Sequence, residues 1–240
     1  MFIRKAITIA FAAAVAFIGT GTDAFAAKVR REANFTVRIE NTSNPEGYET
    51  AGGARYPFAL SPGFFILDAK KTALFSAGER ASRALEAQAE DGNPELFSKH
   101  WLTRVGSLNL GVFNKPEGSM MPAPILPGQA YQFTFKAKEG MRLNLIAMFG
   151  QSNDLFYAPE TAFDLFDNNG NPFTGDVTES FMLWDAGTEV NQAPGVGDEQ
   201  APRQKAANTG KAENGRVGKV ADGFVYPNTK DVLRITITAK

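Results

Sequence analysis

Three acidic side chains stand where apolar runs of this chain break off. Asp154 follows the run 142–149 in IAMFGQSNDLF, Asp185 closes TESFMLW, and Glu189 comes four residues later in WDAGTE. Both breaks fall at the C-terminal ends of strand-like segments. Strands that run parallel across a sandwich, or lie two apart in a meander, end on the same side of a fold, so the three carboxylates can converge. Facing one another they would repel, and each would raise its neighbours' pKa. A hard divalent cation removes that penalty, and Ca²⁺ accepts carboxylate, carbonyl and water oxygens in a flexible shell. The lack of His or Cys among them argues against zinc. On spacing alone the plainer reading, unrelated carboxylates in water, stays ahead, because exposed acidic residues are the norm.

Other constellations carry less. DNNGNPFTGD places Asp167, Asn169 and Asn171 at alternate positions, as a calcium loop begins. Pro172 takes the place of the required glycine and Thr178 that of the closing Glu, so a β-turn with Asn-Gly at its corner fits better. His100 is the single histidine, and no G-x-S-x-G nucleophile elbow accompanies it. Two carboxylates flanking a sugar can hydrolyse a glycosidic bond, but any acidic loop pair meets that description. Gly187, Gly195 and Gly197 are too scattered to cradle a phosphate. Trp184 reads as a wedge at the core edge, with a sugar-stacking role left open by its place near the rim. No catalytic signature survives, and a non-enzymatic protein is expected.

The elements that must hold these residues read as β. NFTVRIE, AYQFTFKA and VLRITIT alternate apolar and polar residues, the period of a half-buried strand. GFFILD (63–68) and RLNLIAMF (142–149) are denser, as expected of strands buried on both faces. With 106–113, 161–166 and 178–184 the total is about eight, separated by Pro, Gly and Asn turns. The expected fold is an all-β antiparallel sandwich. The segment 76–92 interrupts it as a helix ending at Gly92, and 93–101 adds a second helical turn opened by Pro94. The hydrophilic tract 185–222 is expected to be a long loop inside the domain, since GFVYP and VLRITIT beyond it cannot fold alone.

Arg4 and Lys5 precede the apolar run 6–18, and Ala24-Phe25-Ala26 supplies small residues at a cleavage spacing. Residues 1–26 therefore read as a secretory signal peptide, with one domain over 27–240. The run is short for a membrane span, and a secreted or periplasmic protein without an integral membrane segment is expected. The chain has 20 Phe and no cysteine, so core packing, with or without a metal, and not disulfides, is expected to hold it. Its formal net charge of −1, without Lys/Arg clusters interleaved with aromatics, argues against nucleic acid.

LFSAGERASRALEAQAEDGNPELF, GQSNDLF and above all LWDAGTEVNQAPGVGDEQAPRQ resemble the spondin N-terminal domain family in its bacterial form. The resemblance runs from about Phe35 to the last strand. It implies a β-sandwich like the calcium- and lipid-binding sandwich of protein kinase C, with a Ca²⁺ held by Asp154, Asp185 and Glu189. Animal members have Asp where this chain has Glu189, and they carry cysteines and thrombospondin-type repeats that are absent here. The resemblance thus implies a monomeric calcium-binding module for adhesion or ligand binding, its partner an extracellular protein or glycan. A carbohydrate-active hydrolase and a purely structural exported domain are the alternatives.

Overall fold

The computed structural model describes residues 30–50, 52–69, 73–106 and 109–240, and the expected leader at 1–26 lies outside them. The first strand, β1 (Glu32–Asn41), buries Phe35, Val37 and Ile39 in alternation, which commits one of its faces to a core. Two short strands, β2 (Tyr48–Glu49) and β3 (Arg55–Tyr56), pair only with each other. Next come β4 (Leu60–Asp68), the helices α1 (Arg83–Asp91) and α2 (Glu95–Val105), and β5 (Leu110–Phe113). The central run is β6 (Ala130–Lys138), β7 (Arg142–Phe149), β8 (Leu155–Pro159), β9 (Phe163–Asp164) and β10 (Gly175–Asp176). The chain then forms β11 (Phe181–Asp185), β12 (Gly218–Lys219), a single helical turn α3 (Thr229–Val232) and β13 (Leu233–Ala239).

Two antiparallel sheets face each other. The smaller has the order β10-β13-β1-β6, and the larger β12-β11-β8-β7-β4-β5 with β9 beside β7. Between them Val37, Ile39, Tyr131, Ile235 and Ile237 of the small sheet meet Phe65, Leu67, Leu143, Leu145, Phe149 and Tyr157 of the large one. The outer face of the large sheet is also covered. Phe64, Ile66, Ile146, Phe156 and Trp184 pack against Leu85 and Ala89 of α1 and Phe97 of α2. Burial of each such side chain contributes roughly 1.5–3 kcal/mol, so the helices are held by this packing more than by their own propensity. This two-sided burial is why β4 and β7 read as dense apolar runs.

The all-β sandwich expected from the sequence is the observed architecture, with thirteen strands among the described residues rather than about eight. Four of the additional strands are two residues long. The fifth, β8, is buried along its whole length and so lacks the alternation that reveals a strand. The segment 161–166 contributes only β9, and residues 178–180 form a 3₁₀ turn ahead of β11. GFVYP is irregular. The first helix begins at Arg83, where the Ser82 side chain accepts the Leu85 N–H at 3.2 Å, and not at residue 76. It ends at Gly92 (φ 61°) as expected; a Cβ there would also lie 2.5 Å from that of Ser61. The second helix runs four residues past Trp101. Among the described residues no helix is long and apolar enough to cross a membrane.

Candidate metal centre

The order β7-β8-β11 brings the two polar breaks together. Strand β8 pairs antiparallel with both neighbours, so β7 and β11 run parallel, two places apart, and end on the same side. Asp185 is opposite Leu155, the residue after Asp154, and the Ala186 N–H donates to the Asp154 carbonyl at 3.2 Å. The turn 150–154 is buried throughout. Ser152 braces it, donating to the Phe149 carbonyl at 2.7 Å and accepting the Leu155 N–H at 3.1 Å.

Asp154 is fully buried. Its Oδ2 accepts the Thr188 N–H at 2.7 Å, the Thr188 hydroxyl at 3.1 Å and the Glu189 N–H at 3.0 Å. Its Oδ1 has no hydrogen-bond partner among the described residues. Asp154, half-buried Asp185 and exposed Glu213 each bring a carboxylate oxygen within 4.8 Å of the others. Asp185 is oriented by the Gly187 N–H on Oδ1 and the Asn191 Nδ2 on Oδ2, both at 2.7 Å.

Glu213 reaches the group on a strap that pairs with the segment after β11. The Gly215 N–H donates to the Gly187 carbonyl, Glu213 N–H to Thr188, and Val190 N–H to Lys211, at 2.7–2.9 Å. Glu189 does not join the group. Its Oε1 accepts the Gly210 N–H at 2.8 Å, and its Oε2 accepts Asn153 Nδ2 at 3.4 Å. It acts as a buried strut under the strap. Gly210 leaves room for it, since a Cβ at 210 would lie 2.0 Å from Oε2 and 2.1 Å from Cδ. Gly210→Ala is expected to lift the strap and to cost about 1–2 kcal/mol in urea melts, less than a rigid clash because the strap can move outward. Wild-type stability in that variant would remove the strut role.

The electrostatics of the group are unfavourable without a counter-charge. Burial, then the Asp185 charge, pushes the Asp154 carboxyl up to about 7 against three hydrogen bonds that oppose the shift. Burial and Asp222 raise Asp185; burial, Asp185 and Asp222 raise Glu213. Among the described residues no Lys or Arg pairs with Asp154, Asp185 or Glu213. The donors are all oxygen, which suits a hard cation. Two oxygens held at about 2.3–2.6 Å from one Ca²⁺ are at most about 5 Å apart, so the observed spacing fits a shared ion.

No family model matches the chain, and no curated protein does. Function therefore rests on the chemistry of the site. Asp167, Trp184 and His100 do not add to it. Asp167 closes its own turn, with Oδ1 accepting the Asn169 and Asn171 N–H groups at 2.8 Å and Oδ2 the Asn171 amide at 2.9 Å. Trp184 is buried against Phe75 and donates Nε1 to the Ala158 carbonyl at 3.1 Å, so it presents no ring for sugar stacking. His100 is exposed, edge-on to Trp101.

The rest of the tract is held by buried side-chain amides. Gln200 donates Nε2 to the Gln192 and Ala193 carbonyls at 3.1 and 2.9 Å, while its Oε1 accepts the Gly195 N–H and the Arg203 guanidinium. Arg203 also donates to the Gly197 carbonyl and to Gln151 Oε1. Asn153 Oδ1 accepts the Gln192 N–H at 3.0 Å. Neither the amides nor Glu213 were legible as partners in the sequence. The one available signal was glycine: Gly187, at φ 68°, would put a Cβ 2.6 Å from the Arg216 nitrogen.

Proposed function

We propose that the chain is an exported, non-enzymatic binding module of the spondin type in which Ca²⁺ orders a recognition loop. The ion is held by Asp154, Asp185 and Glu213, and Glu189 props the strap that delivers Glu213. The observation that carries this reading is fully buried Asp154: its Oδ1 has no hydrogen-bond partner among the described residues, and its carboxylate brings one oxygen within 4.8 Å of oxygens of two further carboxylates. A buried carboxylate oxygen left without a donor is costly, and a bound cation supplies what is missing. Asp185, Thr188 and Glu189 of the WDAGTE run all hold this end of the sandwich. Exposed Glu213 leaves an entry path.

Calorimetric titration of the EDTA-treated protein with Ca²⁺ and with Mg²⁺ tests the reading. One calcium site is expected, together with a melting temperature that rises with calcium by mass action. Asp185→Ala is expected to abolish that rise and Asp167→Ala to leave it intact. The reverse pattern would move the site to the 167–171 turn, and no heat with either ion would end the reading. Pull-down on extracellular matrix and glycans, with and without chelator, tests the module's role.

A further inference from the structure

Asn191 sits beside the acidic group with half of its amide unused. Its Nδ2 donates to Asp185 Oδ2 at 2.7 Å, while its Oδ1 is buried and has no hydrogen-bond partner. A buried amide oxygen without a donor is costly, so the arrangement is poor for a residue whose only task is to donate to Asp185. Rotating the amide by half a turn exchanges its two ends. The oxygen then takes the nitrogen's place, facing Asp185 Oδ2. Without a cation that juxtaposition is repulsive. Two oxygens in one Ca²⁺ shell, each about 2.4 Å from the ion, are normally about 3 Å apart, so a cation makes the same juxtaposition favourable.

We propose that Asn191 is a fourth oxygen ligand, recruited by rotation of its amide when Ca²⁺ binds; the inference rests on the cation reading of Asp154, Asp185 and Glu213. A neutral amide oxygen suits the place. Three carboxylates already exceed the charge of a divalent ion, and Asp222 adds a further negative field at Asp185 and Glu213. A neutral ligand raises the coordination number without adding repulsion. Ca²⁺ takes 6–8 oxygens whereas Mg²⁺ keeps several waters in a tight octahedron, so Asn191 favours calcium. The residue also connects the ion to the tract, because the next residue, Gln192, is tied to Asn153 and Gln200.

The test is calorimetric titration of EDTA-treated wild type, Asn191→Ala and Asn191→Asp with CaCl₂ and MgCl₂, with the ¹⁵N side-chain amide signals followed in parallel. Asn191→Ala is expected to weaken calcium by about tenfold or more and magnesium by less than about threefold, the range for losing one oxygen ligand. Asn191→Asp keeps an oxygen but loses the N–H donor, and is expected to retain calcium binding. The Asn191 amide signals of wild type are expected to move on loading. Calcium binding lost equally in both variants would make Asn191 a donor that only positions Asp185, and would overturn the proposal. Binding unchanged in Asn191→Ala would overturn it while leaving the three-carboxylate site standing. Wild type that takes up no calcium would remove both.

Discussion

The Asp154→Asn protein is expected to melt higher than wild type in EDTA at neutral pH, and to lose its response to calcium. The substitution keeps the shape of the side chain. The introduced amide oxygen can accept the Thr188 and Glu189 N–H groups that Oδ2 now accepts. The introduced NH₂ takes the place of the unpartnered Oδ1, on a side chain that shares the acidic group with Asp185 and Glu213. One buried charge is removed, and the two carboxylates that remain lose a like-charged neighbour. The same change removes a negative ligand from the calcium site, so stability without metal and affinity for metal move in opposite directions. A purely structural Asp154 would lose stability on amidation, and that result would contradict the account.

The pH dependence follows the same logic. Asp154 titrates at about 7 in the folded protein, above its ordinary value of 3.8. The folded state therefore holds this proton more tightly than the unfolded chain. The associated stability is fully present below about pH 4 and is lost as pH rises through about 7, by about 4 kcal/mol at most. Metal-free wild type is thus expected to be most stable in mild acid. Asp154→Asn flattens this slope without abolishing it, because Glu90, buried under the strap, is also pushed up to about 7, first by burial and then by Glu189, Glu86 and Asp91. Denaturant melts between pH 4 and 8 in EDTA measure both.

Parts of this arrangement were legible in the residues. The alternation of Phe35, Val37 and Ile39 in β1, and of Leu233, Ile235 and Ile237 in β13, fixes which face is inside, since a one-residue slip would expose all of them. Asp154 and Asp185 were visible because each lies where a polar break meets a strand, Asp154 just before β8 and Asp185 at the end of β11. Glu189 was visible for the same reason, yet its side chain turns elsewhere. In an extended segment Asp185 and Glu189 would share a face; Gly187, at φ 68°, turns the chain between them and breaks that parity. Glu213 was invisible because the ribbon that carries it is paired by backbone groups, which leave no side-chain pattern in the sequence. The amide network was hidden for a related reason: Gln and Asn look alike whether they face water or a buried carbonyl.

That network leads to the second large effect. Gln200→Ala is expected to release the segment 191–204 whether or not calcium is present, at a local cost on the order of 3–5 kcal/mol. Gln200 is fully buried and every bonding position of its amide is in use. Its removal takes a donor from the Gln192 and Ala193 carbonyls, one of three acceptors from the Arg203 guanidinium, and the shorter of two acceptors from the Gly195 N–H, which keeps the Gln151 carbonyl at 3.2 Å. The Gly210 and Lys211–Gly215 strap meets that segment through the Lys211 N–H on Glu199 Oε2 at 3.3 Å, but it is tied chiefly to Glu189 and to the 187–190 backbone, so it is expected to keep its protection. Hydrogen exchange separates the two halves. Fast exchange at Gly195 and Gln204 with slow exchange at Glu213 and Gly215 is expected for Gln200→Ala, and the opposite pattern for EDTA-treated Gly210→Ala. If Gln200→Ala leaves exchange at Gly195 unchanged, the tract is ordered by something other than this amide. If both halves open together in either variant, the tract is a single cooperative unit and not two segments held separately. Two ties, joined at Asn153, explain how so polar a stretch is held against the sandwich: amides fix its first half to the 150–154 turn, and the strap carries the third carboxylate back to the other two.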